Sequence, residues 1–251
     1  MLLVTLMVCL AGIKTISAGG SCKYQYDQYR PDFYFCDLTG ASYLDPTSDN
    51  VISDGGHLKD KEDKDITYVA VFSSTFKYVP TAVFDKFKNL DSFHFYNVAP
   101  LTLNDQSFKN CDKLTDLHFD QNKIKKLPAG TFKACKNLES IHIVNNEISE
   151  IDDDAFLGLD NLKTLSLVSN KLTILHLAPF QKLPKLADFS FGYNEITAVA
   201  PHFFEALPNL KRIFALSNKC VDMEVFEVKN IETEVTSKYD KCFKNYESLK
   251  L

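Results

Sequence analysis

Seven segments of this chain open with an apolar residue at an unvarying interval. Ile66, Leu90, Leu114, Leu138, Leu162, Leu186 and Leu210 follow one another every 24 residues, with no gap in the register. A period of that length limits the fold more than any other feature. One unit is too small to bury an apolar face alone, so units must stack on their neighbours to make a continuous core. The clearest unit is LKTLSLVSNKLTILHLAPFQKLPK (162–185), with apolar positions Leu162, Leu165, Leu167, Leu172, Leu175, Phe180 and Leu183 and with Asn170 between its halves. Positions four to six of each unit alternate apolar, variable, apolar, as a short strand with one buried face does. Matching positions of successive units then become neighbours in space.

The unit resembles the pattern L-x-x-L-x-L-x-x-N-x-L of leucine-rich repeats, in their longer extracellular form with a late Phe and Leu, over residues 66–220. The segments SFKNCDKLTDLHFDQNKIKKL and AFLGLDNLKTLSLVSNKL are similar to units of short secreted insect leucine-rich-repeat proteins of immune type and of Toll-type receptor ectodomains. The resemblance implies an α/β horseshoe solenoid: a concave parallel β-sheet, convex turns and short helices, and disulfide-capped ends. It also implies a ladder of asparagines bonding to the backbone of neighbouring turns, a slot that Asn122, Asn146, Asn170, Asn194 and Asn218 match. Ser74 and Val98 stand in that slot in the first two units. Serine supplies part of the bonding and valine none, so YNVAPLTLN is expected to be irregular, with Asn97 compensating from one position earlier.

The ends divide the chain into four parts. Residues 1–19 read as a signal peptide, with an apolar run from Leu2 to Ile13 followed by Ser17, Ala18 and Gly19. That run is short for a bilayer core, and no other is long enough, so no membrane span is expected. Residues 20–65 form an N-terminal cysteine cap and a polar loop, 66–219 the seven repeats, and 220–251 a C-terminal cysteine cap. The stretch TSDNVISDGGHLKDKEDKD (47–65) alternates in charge and is expected to be an exposed, mobile loop. Removal of Cys9 leaves Cys22, Cys36, Cys111, Cys135, Cys220 and Cys242, an even number that suits an oxidising compartment. The cap resemblance implies Cys22–Cys36 and Cys220–Cys242 bridges, with the aromatic residues near DFYFC covering the open end of the core. Cys111 and Cys135 share one slot in adjacent units, where other units place Phe87, Leu159, Leu183 and Leu207. They are either buried thiols or an inter-coil disulfide.

Within this frame the fifth residue of each unit points out of the inner sheet: Ala70, His94, His118, His142, Ser166, Ser190 and Phe214. Three of the chain's six histidines therefore stand side by side on adjacent strands. The third residues place Asp116 beside them, and the seventh residues Tyr96, Asp120 and Val144, in a column unusually apolar for a solvated surface. One reading is a solvated face on which histidine is accidental. A second is a binding patch of His94, Tyr96, Asp116, His118, Asp120, His142 and Val144. A third is a divalent metal site using the imidazoles with Asp116 or Asp120, suitable ligand types, against which three imidazoles in a flat row count, since they form no tetrahedron. The second reading is adopted: neither metal nor cofactor is assigned. It also implies pH sensitivity, because stacked imidazoles oppose one another's protonation while Asp116 and Asp120 favour it for His118.

The mild net charge of −5, with Lys and Arg scattered among Asp and Glu, argues against a nucleic-acid partner. No nucleophile elbow, zinc-protease helix or phosphate loop occurs, and a flat sheet has no oxyanion pocket, so an enzyme is not expected. What remains is a secreted, extracellular, non-enzymatic recognition protein. It would bind a protein or other macromolecule on its concave face, and the resemblance extends this to innate immunity. The alternative is an adhesion or structural scaffold that forms homo- or hetero-oligomers.

Overall fold

The computed structural model describes residues 21–26, 28, 34–38, 42–43, 56–99 and 101–249. The expected signal peptide, Cys9 and residues 47–55 of the charged loop lie outside them. The 24-residue period closes into coils, each contributing one strand to a ten-stranded sheet. Strands Tyr68–Phe72, Ser92–Tyr96, Asp116–Asp120, Ser140–His142, Thr164–Ser166, Asp188–Ser190 and Arg212–Phe214 run parallel in that order. Their pairing holds the sequence register throughout, Tyr68 beside Ser92 and Asp188 beside Arg212. Strand Tyr34–Asp37 extends the parallel array at one end, and Lys23–Tyr26 closes that end antiparallel. Glu224–Val225 closes the other end antiparallel to Arg212–Phe214. Short outer strand pairs and the helix Ala82–Lys86 complete the opposite side of the coils.

Burial follows the alternation. Phe93, Phe95, Leu117, Phe119, Ile141, Ile143, Leu165 and Leu167 are fully inside. A second apolar column, Phe84, Phe108, Phe132, Phe156 and Phe180, runs along the outer half of the core with successive ring centroids 6.1, 5.5, 6.2 and 5.6 Å apart. Successive rings stay within aromatic contact distance, stacked or tilted, so the spine is continuous although no single unit contains it.

After each strand one residue takes the left-handed conformation: Ser73, Asn97, Gln121, Asn145, Ser169, Tyr193 and Ser217, with φ between 44° and 58°. For residues with a Cβ this costs roughly 1–2 kcal/mol each. The turn swings the following side chain inward, where asparagine does the bonding. Asn146 Oδ1 accepts from the Ile124 amide at 3.1 Å while its Nδ2 donates to the Phe119 carbonyl at 2.7 Å, both on the preceding coil. Asn122, Asn170, Asn194 and Asn218 repeat that double contact. Ser74 substitutes in part, donating to the Phe72 carbonyl at 2.8 Å. Asn97 does not compensate for Val98: it is exposed, occupying the left-handed turn position itself. The Val98 amide is satisfied instead by Asn122 Oδ1 from the next coil, so a valine there costs one rung and not two. A second set of asparagine contacts, unforeseen in the repeat pattern, stands just before four of the opening leucines. Asn89, Asn137, Asn161 and Asn209 each donate to a carbonyl 25 residues earlier, at 2.6–3.0 Å.

All three cysteine pairs are disulfides. Cys22–Cys36 and Cys220–Cys242 close the two caps, and Cys111–Cys135 joins adjacent coils with its Cα atoms 5.0 Å apart. The splay of the outer side does not prevent this last bridge. Tyr24 and Tyr34 cover the first coil, and Tyr239 is buried against Phe204 at the last. Residues 56–65 of the charged segment are not simply solvated. His57 stacks on Tyr24 at 3.9 Å and contacts Asp63 at 2.9 Å, and Lys86 pairs with Asp63 at 3.2 Å. The Asp152–Asp154 run is tied across coils as well, by Lys126–Asp152 and Lys182–Asp154 pairs on the exposed outer side.

Replacing Asn170 by Ala strands the Ile148 amide and the Ile143 carbonyl in the core, and is expected to cost about 2–3 kcal/mol in chemical denaturation. Serine at that site should recover part of the loss. The double substitution Cys111→Ala/Cys135→Ala opens a crosslink of sequence separation 24 and is expected to lose about 3 kcal/mol, read as a shift in denaturation midpoint.

Candidate functional site

The site is built from three adjacent strands of the inner sheet. In each, the residues flanking the histidine are buried, Phe93 and Phe95, Leu117 and Phe119, Ile141 and Ile143, so the histidine between them faces outward. The parallel register sets His94 beside His118 and His118 beside His142. Ring centroids are 4.0 Å apart in the first pair and 4.3 Å in the second, the latter almost parallel at 10°. The row continues into aromatic residues: Tyr68 meets His94 edge-on at 4.7 Å, and Phe35 meets Tyr68 at 5.5 Å.

Carboxylates thread between the rings. Asp116 Oδ2 lies 3.0 Å from His94 Nε2, and its Oδ1 lies 3.2 Å from His118 Nε2. Asp120 Oδ2 is 3.3 Å from His118 Nδ1, while its Oδ1 accepts the Val144 amide at 2.8 Å. Ser92 Oγ donates to Asp116 at 2.9 Å, and the Tyr68 hydroxyl meets His94 Nδ1 at 3.2 Å. Burial alone would depress the His118 imidazolium. Hydrogen bonds and the charges of Asp116 and Asp120 outweigh it and raise the group to about 9. Burial likewise opposes ionisation of Asp116 and Asp120, and their bonds to the imidazoles prevail, holding both below the usual carboxylate range. His142 is lowered by burial and by the His118 charge beside it. No hydrogen-bond partner meets its ring among the described residues. His118 and His142, neighbours in one column, are thus shifted in opposite directions, His118 by the aspartates that bond it and His142 by burial and the charge of His118.

His94, Asp116, His118, Asp120 and His142 form one contiguous cluster, and Val144 joins through its backbone. Tyr96 stands apart from the imidazoles, exposed and 6.0 Å from Phe72. Two positions of the fifth column are not on the surface: Ala70 is fully buried and Ser166 nearly so. Their side chains are too short to rise past their larger neighbours. Tyr68 and Ser92 are the site residues that the column of histidines did not reveal. Both lie in the third column, beside the imidazoles they contact, and only the bonding marks them. The C-terminal end of the same face carries Arg212 paired with Asp188, and exposed Tyr193 and Phe226.

The profile of the BspA type Leucine rich repeat region matches in six copies, over residues 62–187 and 101–232. This is a leucine-rich-repeat protein. No curated relative matches it. Among solved structures, the repeat protein is similar to TLR13 in its complex with ssRNA13 (25% identity, TM-score 0.52), covering 61% of this chain and 26% of that one. It is also similar to the Drosophila Toll–Spatzle complex, a molecular hub in development and innate immunity (22%, TM-score 0.53, covering 62% and 24%). A leucine-rich-repeat protein of Leptospira interrogans is similar in fold at 22% identity and TM-score 0.53, over 62% of this chain and 38% of that one. The repeat protein therefore spans about a quarter to two-fifths of these chains.

Because His118 has a folded-state value of about 9 against 6.5 when unfolded, its contribution to stability is complete below 6.5 and is lost as pH rises toward 9. The difference in melting temperature between the parent and His118→Gln, both in chelator-treated buffer, should shrink across that window. A constant difference would show that the imidazolium is not held by its aspartates.

Proposed function

We propose that this leucine-rich-repeat protein is an extracellular, non-enzymatic recognition protein. It binds a protein or other macromolecule at His94, Tyr96, Asp116, His118, Asp120, His142 and Val144, and innate immunity is the setting. The observation carrying this reading is the single contiguous, half-buried cluster of imidazoles and carboxylates on the concave sheet. Such a cluster offers directional donors and acceptors where side chains of a partner could reach them. Exposed Phe72 and Tyr96 beside it supply apolar contact area. Three disulfides and the signal-like residues 1–19 support an oxidising, extracellular location. No helix among the described residues is long and apolar enough to cross a membrane. Asp116, Asp120 and Asp188 on the same face, with the net charge of −5, favour a protein over a polyanion as partner. The likeness to Toll-type ectodomains supports the setting without naming the ligand.

Affinity capture from native extracellular fluid, with the recovered partner identified and its Kd measured, tests the reading. The triple variant His94→Ala/His118→Ala/His142→Ala is expected to weaken that Kd at least tenfold while keeping a cooperative melt. Equal affinity for both proteins would remove the patch from the binding surface. Light scattering across a concentration series decides the scaffold alternative: a dimer that the triple variant abolishes would assign the face to self-assembly.

A further inference from the structure

We infer that His94, Asp116 and His118 form a Zn²⁺-class metal site on the concave face, with one coordination position directed to solvent or to a bound partner. The inference does not rest on the recognition reading, because metal uptake is read on the isolated chain.

The first argument is ligand type and spacing. One ring nitrogen of His94, one carboxylate oxygen of Asp116 and one ring nitrogen of His118 lie within 4.8 Å of one another. His94 Nε2 lies 3.0 Å from Asp116 Oδ2 and His118 Nε2 lies 3.2 Å from Asp116 Oδ1, so each imidazole meets its own oxygen of one carboxylate. Donors about 2.0 Å from a tetrahedral ion stand roughly 3.3 Å apart, a spacing that both nitrogen–oxygen contacts approach. Three imidazoles in a row offer no such triangle. Here the third corner is Asp116, one residue column away, whose two oxygens already address both rings. Two neutral nitrogens and one carboxylate suit Zn²⁺, whereas Ca²⁺ and Mg²⁺ require oxygen-rich shells.

The second argument is what stands behind the ligands. A metal-bound imidazole characteristically donates its other ring N–H to a carboxylate, carbonyl or hydroxyl, which fixes tautomer and orientation. His118 Nδ1 faces Asp120 at 3.3 Å and His94 Nδ1 faces the Tyr68 hydroxyl at 3.2 Å. Both Nε2 atoms meet Asp116, and that of His94 also meets Ser92 Oγ at 3.0 Å, a contact the ion would displace. Asp116 is itself held by Ser92 Oγ, and Asp120 by the Val144 amide. Every ligand thus has its own support, carried on two strands whose buried alternates fix them in register. Access is open: the side chains of His94, His118 and Asp116 keep 27%, 26% and 32% of their surface. The ion replaces the proton that joins His118 to Asp116 in the metal-free chain, so uptake competes with protonation. With three protein ligands the fourth position is left for water or for a carboxylate, imidazole or thiolate from a partner.

The test uses untagged, chelator-stripped full chain titrated calorimetrically with Zn²⁺ alone, then with Ca²⁺ and Mg²⁺. One equivalent of Zn²⁺ is expected, with no comparable uptake of the other two. His94→Ala and Asp116→Asn should weaken it at least 100-fold, and Asp120→Asn, a positioning change, 10–100-fold. The His176→Ala/His202→Ala double variant, outside the cluster, should match the parent. Melting curves confirm that the near-isosteric Asn variants stay folded. Co²⁺ loaded in place of Zn²⁺ should give the intense visible absorption of a four-coordinate site. Absence of uptake by the parent, uptake that survives His94→Ala and Asp116→Asn, or equal binding of Ca²⁺ would each overturn the assignment. Zn²⁺ binding without any partner would leave the metal site standing and count only against recognition.

Discussion

Each coil of this chain is completed by the one beside it. An asparagine side chain, swung inward by a left-handed residue, bonds the backbone of the preceding coil at two points and so fixes both pitch and register. Without that internal bonding, the turn after each strand would bury peptide groups with no partners, at roughly 1–3 kcal/mol apiece. With it, the strands stay parallel and in phase from Tyr68 to Phe214, and the leucine and phenylalanine columns pack as continuous spines. Asn89, Asn137, Asn161 and Asn209 add a backbone contact to the preceding coil at the start of four of the strands. The parallel register that results sets His94 beside His118 and His118 beside His142.

The ends show the cost of such a design. A stack of coils has two open faces, and here both are closed by an antiparallel strand and a disulfide. At the N-terminal end aromatic residues are joined by the His57–Asp63 contact, which draws part of a highly charged segment onto the cap. The charge alternation of that segment reads as solvated, yet one histidine and one aspartate within it have partners far away in sequence. Cys111–Cys135 is of a different kind. It crosslinks the unit that carries Val98, where the ladder position has no polar side chain, to the next unit.

On the concave face the columns carry the chemistry. A repeated histidine alone would be a row of equivalent weak bases. Two aspartates, both on the central strand, break that equivalence: His118 is raised by its two carboxylates and His142 is lowered beside it. The same two aspartates give the face its directionality, one bridging a pair of imidazoles and the other bracing the central ring from behind.

Phase was legible in the sequence, because a constant period with a fixed apolar pattern admits only stacking, and stacking makes like positions neighbours. From this came the stacked strands and the imidazole row, while the asparagine ladder and the cysteine-closed caps came from the resemblance to leucine-rich repeats. Side-chain direction was not legible, because it depends on neighbours from three coils at once. Asn97 points to solvent, Ala70 and Ser166 sink between larger residues, and Tyr68 and Ser92 join the cluster. Above all, only the tertiary structure turned Asp116 between His94 and His118. A repeat specifies which residues are adjacent, whereas the torsions and hydrogen bonds of the folded sheet decide which of their atoms converge.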